Sequence, residues 1–181
     1  MSLREITKEL HHEAETTKAA KALLSGKISK EDYRKYIYQL LLIYGPIEVG
    51  NRMLGNLKTL PGVERLPGLY TDYMELKDED SIDLWLPSTL EYHTYLINLL
   101  NDPTRKHLIK AHMYCRHKGD LHGGQIIAKQ VSSFSQGRFY QFADKEALKI
   151  AIRAELTDDL GDEACVAFRF AINMLKELGG E

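Results

Sequence analysis

The run Tyr114-Cys115-Arg116-His117-Lys118-Gly119-Asp120-Leu121-His122-Gly123-Gly124-Gln125 decides how this chain is read. Upstream of it, from Thr104, the residues Leu108, Ala111, Tyr114 and Cys115 recur at helical spacing, and apolar residues resume at Ile126 and Ile127. Three glycines inside six positions cost such a helix about 1 kcal/mol each relative to alanine. Two readings stay open on spacing alone: a break in the helix, which that cost favours, or a backbone kept bare so that a flat ligand can approach it.

The segments on either side have the same helical period. A helix is expected from Leu3 to Leu24, capped by Ser2 and stopped by Ser25-Gly26, with Leu3, Ile6, Leu10, Ala14 and Thr17 on its buried face. Ser29 and Asp32 approximate a capping box for a second helix carrying Tyr33, Tyr36, Ile37, Leu40 and Tyr44. Gly45-Pro46 should kink that helix before it continues from Ile47 to Leu57. Pro61-Gly62 and Pro67-Gly68 mark a loop, and Lys77–Asp83 marks another. Further helices are expected from Pro87-Ser88 to Asn101, after Asp144 through Leu148, Ile152 and Leu156, and from Gly161 through Phe170 to Leu175. No segment alternates as a strand does, so the expectation is an all-α fold, a bundle of seven to nine helices in a single domain spanning residues 1–181.

Composition bounds the function. With 44% hydrophobic and 28% charged residues the chain reads as a soluble globular protein. A net charge of −2, from 24 Lys+Arg against 26 Asp+Glu, excludes a globally basic nucleic-acid binder. The longest apolar run, Leu40 to Tyr44, is far below the roughly 20 residues a membrane span requires. No signal-peptide core is visible, and the expected location is the cytoplasm. Cys115 and Cys165 form no CxxC pair and read as core residues. The near-zero total hides a basic segment, Lys18, Lys21, Lys27, Lys30, Arg34 and Lys35, set against Glu31 and Asp32.

Among the histidines, His107, His112, His117 and His122 recur every five residues, a step of about 140° that cannot place them on one helix face. Glu9 and His12 form an ExxH pair, half of the motif of a di-iron carboxylate oxidase, but a second ExxH is absent. On a helical wheel with Leu3 at zero, His11 falls near 80° and His12 near 180°. His11 therefore borders the core, in a strip shared with Arg4, Lys8 and Glu15, while His12 faces solvent.

Taken together, His11-His12-Glu13-Ala14-Glu15 and the Gly119-to-Gln125 motif resemble those of the haem (heme) oxygenase family, and the resemblance extends over nearly the whole chain. It implies an α-helical fold in which haem b, both substrate and cofactor, lies between an N-terminal proximal helix and a kinked distal helix. His11 would be the proximal iron ligand, oriented by Glu15. Arg4, Lys8, Lys149, Arg153 and Tyr114 match the groups that meet the haem propionates. Gly119, Gly123 and Gly124 would let the distal backbone lie against the porphyrin. Asp120, with Arg116 and Tyr44, matches the network that orders a distal water chain and delivers protons.

The implied reaction uses dioxygen and reducing equivalents to open haem at the α-meso carbon, releasing biliverdin IXα, carbon monoxide and ferrous iron. The resemblance is to the short soluble members, which implies ferredoxin as electron donor and a bilin reductase as a downstream partner. The basic segment would dock an acidic ferredoxin. Two positions depart from the family pattern: His122 stands where Ser is usual, and Ala171 where many members have Asn. These departures define the alternative to catalysis, a silent haem carrier or sensor. A di-iron oxidase is a further alternative.

Overall fold

A computed structural model describes residues 2–181, and among these it contains nine α-helices, four short 3₁₀ turns and no strand. The all-α expectation holds. Within residues 2–76, three elements differ from the sequence-based expectation, each for an identifiable physical reason.

The first is the N-terminal segment, which is three helices rather than one: α1 (Leu3–Ile6), α2 (Lys8–Thr16) and α3 (Lys18–Ser25). Ser2 begins α1 with a complete capping box to Glu5. The breaks fall at two threonines whose hydroxyls bond backward to main-chain carbonyls, Thr7 to Leu3 at 2.8 Å and Thr17 to Ala14 at 2.9 Å. Such side-chain bonds compete with helix continuation. Thr17 is extended at φ −60° and ψ 153°, and its side chain caps α3 by accepting from the Ala20 N–H.

The second helix, α4 (Lys30–Met53), carries Pro46 in its interior and ends at Met53 rather than Leu57, because Gly55 turns the chain at φ +77°. The third difference is α5 (Leu66–Leu76), where Pro67-Gly68 had marked a loop. Pro67 lies in the first turn, where its missing N–H costs nothing. That turn has no local cap; instead the Glu48 carboxylate of α4 accepts the N–H groups of Arg65 at 2.5 Å and Leu66 at 3.3 Å.

The remaining helices are α6 (Pro87–Asn101), α7 (Ile109–Gln130), α8 (Lys145–Glu155, capped by Asp144) and α9 (Gly161–Leu178). The glycine-bearing α7 is unbroken, which overturns the broken-helix reading. The main core is built around α4, with Tyr33, Ile37, Leu40, Ile43, Tyr44 and Ile47 buried against α5, α6 and α7. A smaller cluster of Leu3, Ala111, Tyr114, Cys115, Ala164, Ala167, Phe168 and Ala171 joins α1, α7 and α9. Its small side chains let α7 and α9 pack closely. A buried polar set ties α6, α7 and α9: Tyr92 Oη lies 2.9 Å from His112 Nδ1, His112 Nε2 lies 3.0 Å from Glu163, and Tyr95 donates to Glu163 at 2.6 Å. Both cysteines are free thiols. Among the described residues no helix is long and apolar enough to cross a membrane.

Candidate active site

Between the α1–α3 segment on one side and α7 on the other lies a cavity of about 700 Å³, within the usual range for a small-molecule site. Arg4, Thr7, Lys8, His11, Ala14 and Glu15 line one wall, and Tyr114, Arg116, Lys118, Gly119, Asp120, His122, Gly123 and Gly124 line the other. Phe168, Ala171 and Leu175 of α9 and Tyr36 of α4 also contribute to the lining.

Lys8, His11 and Glu15 reach the cavity together because their spacing puts them on one face of α2, while Arg4 comes from α1 across the Thr7 break. His12 is not part of the lining. The His11 ring meets Phe168 edge-on at 5.8 Å between centroids. Its Nδ1 lies 3.5 Å from the Glu15 carboxylate, which leaves Nε2 as the nitrogen available for a ligand bond.

Arg4, Lys8, Lys118 and Arg153 all line the cavity, and among the described residues none of them is ion-paired with a carboxylate. Four such cations in the lining of one cavity call for an anionic ligand group. The Lys118 Nζ sits over the Tyr114 ring at 4.7 Å. Partial burial, and then the charges of Arg153 and Arg4, hold the Lys118 pKa below the usual lysine value. Sequence reasoning passed over Lys118; the signal available was its i,i+4 spacing from Tyr114 on the same helix. Lys149, by contrast, is not in the lining and pairs with Glu146 at 2.6 Å.

The glycines divide. A Cβ on Gly119 or Gly123 would meet nothing within 4 Å, so both leave open space on the cavity wall. A Cβ on Gly124 would stand 2.3 Å from Cδ1 of the buried Tyr140, so this glycine is also required by packing behind the wall. The His122 ring lines the cavity with Nδ1 2.8 Å from the Lys118 carbonyl one turn back.

At the inner end the Tyr44 hydroxyl donates to Asp120, and the Arg116 guanidinium lies 5.7 Å from the Tyr44 ring centre. Burial raises the Asp120 pKa, opposed by Arg116 and the Tyr44 hydrogen bond. Burial and then the Asp120 charge push the Tyr44 phenol well above its ordinary value, so it keeps its proton and remains a donor. Outside the cavity, Lys18, Lys21 and Lys27 frame a shallow surface depression. The basic segment is smaller than its sequence implies, because Arg34 is buried against Asp83 and Lys35 pairs with Glu31 at 2.7 Å. Glu9 and His12 acquire no companions: among the described residues no three His, Cys, Asp or Glu side chains are grouped to hold a metal ion.

Comparison with known proteins agrees with this geometry. The heme oxygenase family model matches residues 1–177. The heme oxygenase of Rhodella violacea is 27% identical, with 98% of this chain and 86% of the relative aligned. Heme oxygenase 1 of Synechocystis is 29% identical, covering 98% of this chain and 83% of the relative. The crystal structure of Synechocystis heme oxygenase-1 in complex with heme superposes with a TM-score of 0.85 at 27% identity, over 98% of this chain and 90% of that one. The Leptospira interrogans heme oxygenase structure shares the fold at a TM-score of 0.82 and 22% identity. With a family match over residues 1–177, laid on a helical cavity bearing its histidine, cations and bare glycines, this chain belongs to the heme oxygenase family.

Proposed function

We propose that this chain, acting as one domain over residues 1–181, binds haem b in the cavity and opens it at the α-meso carbon to biliverdin IXα, carbon monoxide and ferrous iron. The observation that carries this reading is the set of four cations, unpaired among the described residues, that line a cavity also presenting the His11 imidazole and two open glycine positions. These features fit a flat, metal-bearing dianion. Bound haem would supply both the iron that activates dioxygen and the ring that is opened.

His11 would hold the iron through Nε2, with Glu15 orienting the imidazole. Arg4, Lys8, Lys118, Arg153 and Tyr114 would hold the two propionates, and fixing the carboxylates fixes which ring edge points inward. Gly119 and Gly123 keep side chains off the ring face. Asp120, buried and bonded to Tyr44, would orient water and pass protons inward, with Arg116 favouring its charged form. The buried Tyr44, Asp120 and Arg116 support catalysis over a silent carrier or sensor. Electrons would come from ferredoxin docked at Lys18, Lys21 and Lys27, in the cytoplasm, and a bilin reductase would take the product.

The test is to add hemin, dioxygen and a reduced ferredoxin system or ascorbate and to chromatograph the product. Biliverdin IXα is expected. A stable haem complex that never turns over under either donor refutes the enzymatic reading. His11→Ala should abolish the histidine-ligated haem spectrum, and His12→Ala should keep it.

A further inference from the structure

One helical turn before Asp120 on α7, His117 is fully buried and has no part in the chemistry described above. Its Nε2 lies 3.0 Å from Glu48 Oε1 of α4. The same carboxylate accepts the Arg65 and Leu66 main-chain N–H groups, so Glu48 is an acceptor throughout and Nε2 carries the proton. The other ring nitrogen, Nδ1, is buried and has no hydrogen-bond partner.

An orphaned buried group costs about 1–3 kcal/mol, and a single water removes that cost in either state of the ring. The water donates to a bare Nδ1 and accepts from a protonated one. The groups that face His117 are Glu48 and Tyr44 from α4, Asp120 from α7 and, through Glu48, Arg65 at the start of α5. The His117 and Tyr44 rings are 4.9 Å apart between centroids, and the charge of His117 acts on the Asp120 carboxyl. Arg65 binds the carbonyls of Gly62 at 2.7 Å and Val63 at 3.0 Å, and its charge acts on Asp120 too.

We propose that His117 is a positioning residue for the Asp120–Tyr44 pair, its ring fixed to Glu48 through Nε2–H and its Nδ1 holding a buried water against the Asp120 carboxyl. Its use in turnover rests on the haem reading above; the hydrogen-bonded unit itself does not. Histidine suits this role because its neutral ring presents a donor on one nitrogen and an acceptor on the other.

The decisive measurement uses the ligand-free full chain with nitrogen-15-labelled histidine. Nε2 of His117 should carry the proton, and Nδ1 should show the nitrogen shift of an acceptor that receives a hydrogen bond. A proton on Nδ1 with Nε2 bare, or an Nδ1 shift without a hydrogen bond, overturns the proposal and needs no variant that might fail to fold.

In the haem complex, His117→Gln keeps a donor for Glu48 but does not place the Nδ1 acceptor beside Asp120. It should bind haem like the parent chain, lose about tenfold in the rate of ring opening near neutral pH, and flatten the pH profile. An unchanged rate and profile overturns the proposal. Failure of the parent chain to degrade haem refutes the haem reading and, with it, this role in turnover, while the nitrogen spectrum still decides whether the His117–Glu48 unit exists.

Discussion

Three glycines on one helix that look alike in sequence should respond to alanine with opposite signs. At Gly119 and Gly123 the added methyl meets nothing within 4 Å in the protein, so the ligand-free chain gains the helix propensity of alanine, about 1 kcal/mol at each position. For a chain of this length that is a rise in Tm of roughly 2–4 °C per substitution. At Gly124 the methyl stands 2.3 Å from Tyr140 Cδ1, more than 1 Å inside the roughly 3.5 Å optimum between carbons. Tyr140 is 1% exposed and its ring packs 4.5 Å from that of Phe139, so it has nowhere to swing. Overpacking of this kind costs about 1–3 kcal/mol, and the upper end, less the propensity gain, leaves Gly124→Ala destabilised by about 2 kcal/mol. Thermal denaturation of the three ligand-free variants measures the split. Hemin titration followed by absorbance then adds the functional half: Gly119→Ala and Gly123→Ala, the stabilised pair, should lose at least tenfold in haem affinity, because their methyls occupy the ligand's space. A common direction of Tm shift for all three, or parental affinity in the Gly119 and Gly123 variants, would refute the division of the helix into a ligand-facing and a packing side.

Lys118→Ala should weaken haem binding by about tenfold, the value of one charge-assisted hydrogen bond, yet leave binding of the haem dimethyl ester unchanged; equal losses for both ligands would remove Lys118 from carboxylate recognition. Lys18→Glu with Lys21→Glu should slow ferredoxin-driven turnover several-fold and spare ascorbate-driven turnover, and equal rates would refute the dock. Burial holds the His112 pKa below its ordinary 6.5 despite the Glu163 hydrogen bond. The unfolded chain therefore binds that proton first, so this contribution to stability is complete above about pH 6.5 and declines on acidification by up to about 1.4 kcal/mol per pH unit until His112 protonates in the folded state. Denaturant unfolding between pH 5 and 8 should show a shallower slope for His112→Gln than for the parent, and identical slopes would rule the effect out.

What could be read from the sequence follows how local each determinant is. α6 and α8 were legible because apolar periodicity, Pro87 at a first turn and an Asp144 cap all lie within the element they define. α5 was not, because the carboxylate that satisfies its first N–H groups, Glu48, lies 17 residues upstream on another helix. The N-terminal breaks were missed because Thr7 and Thr17 end their helices through side-chain bonds that a helical wheel does not represent. The wheel nevertheless singled out His11, since Lys8, His11 and Glu15 share a face within α2 wherever that helix begins.

The same distinction runs through the site. His11 and Asp120 sit in local motifs, whereas Lys118 acquires its meaning only from Arg4 and Arg153, whose charges act on it from two other helices. Gly124 differs from Gly119 and Gly123 only because Tyr140 returns against α7 from a turn more than a dozen residues later. His117 is the extreme case. As one of four histidines spaced by five it carries no signal, and its orphaned Nδ1 becomes visible only when α4 supplies Glu48 on one side and Tyr44 on the other. The groups that hold the ligand are thus largely written in short motifs, while those that set charge and proton balance around it arise where separate helices converge.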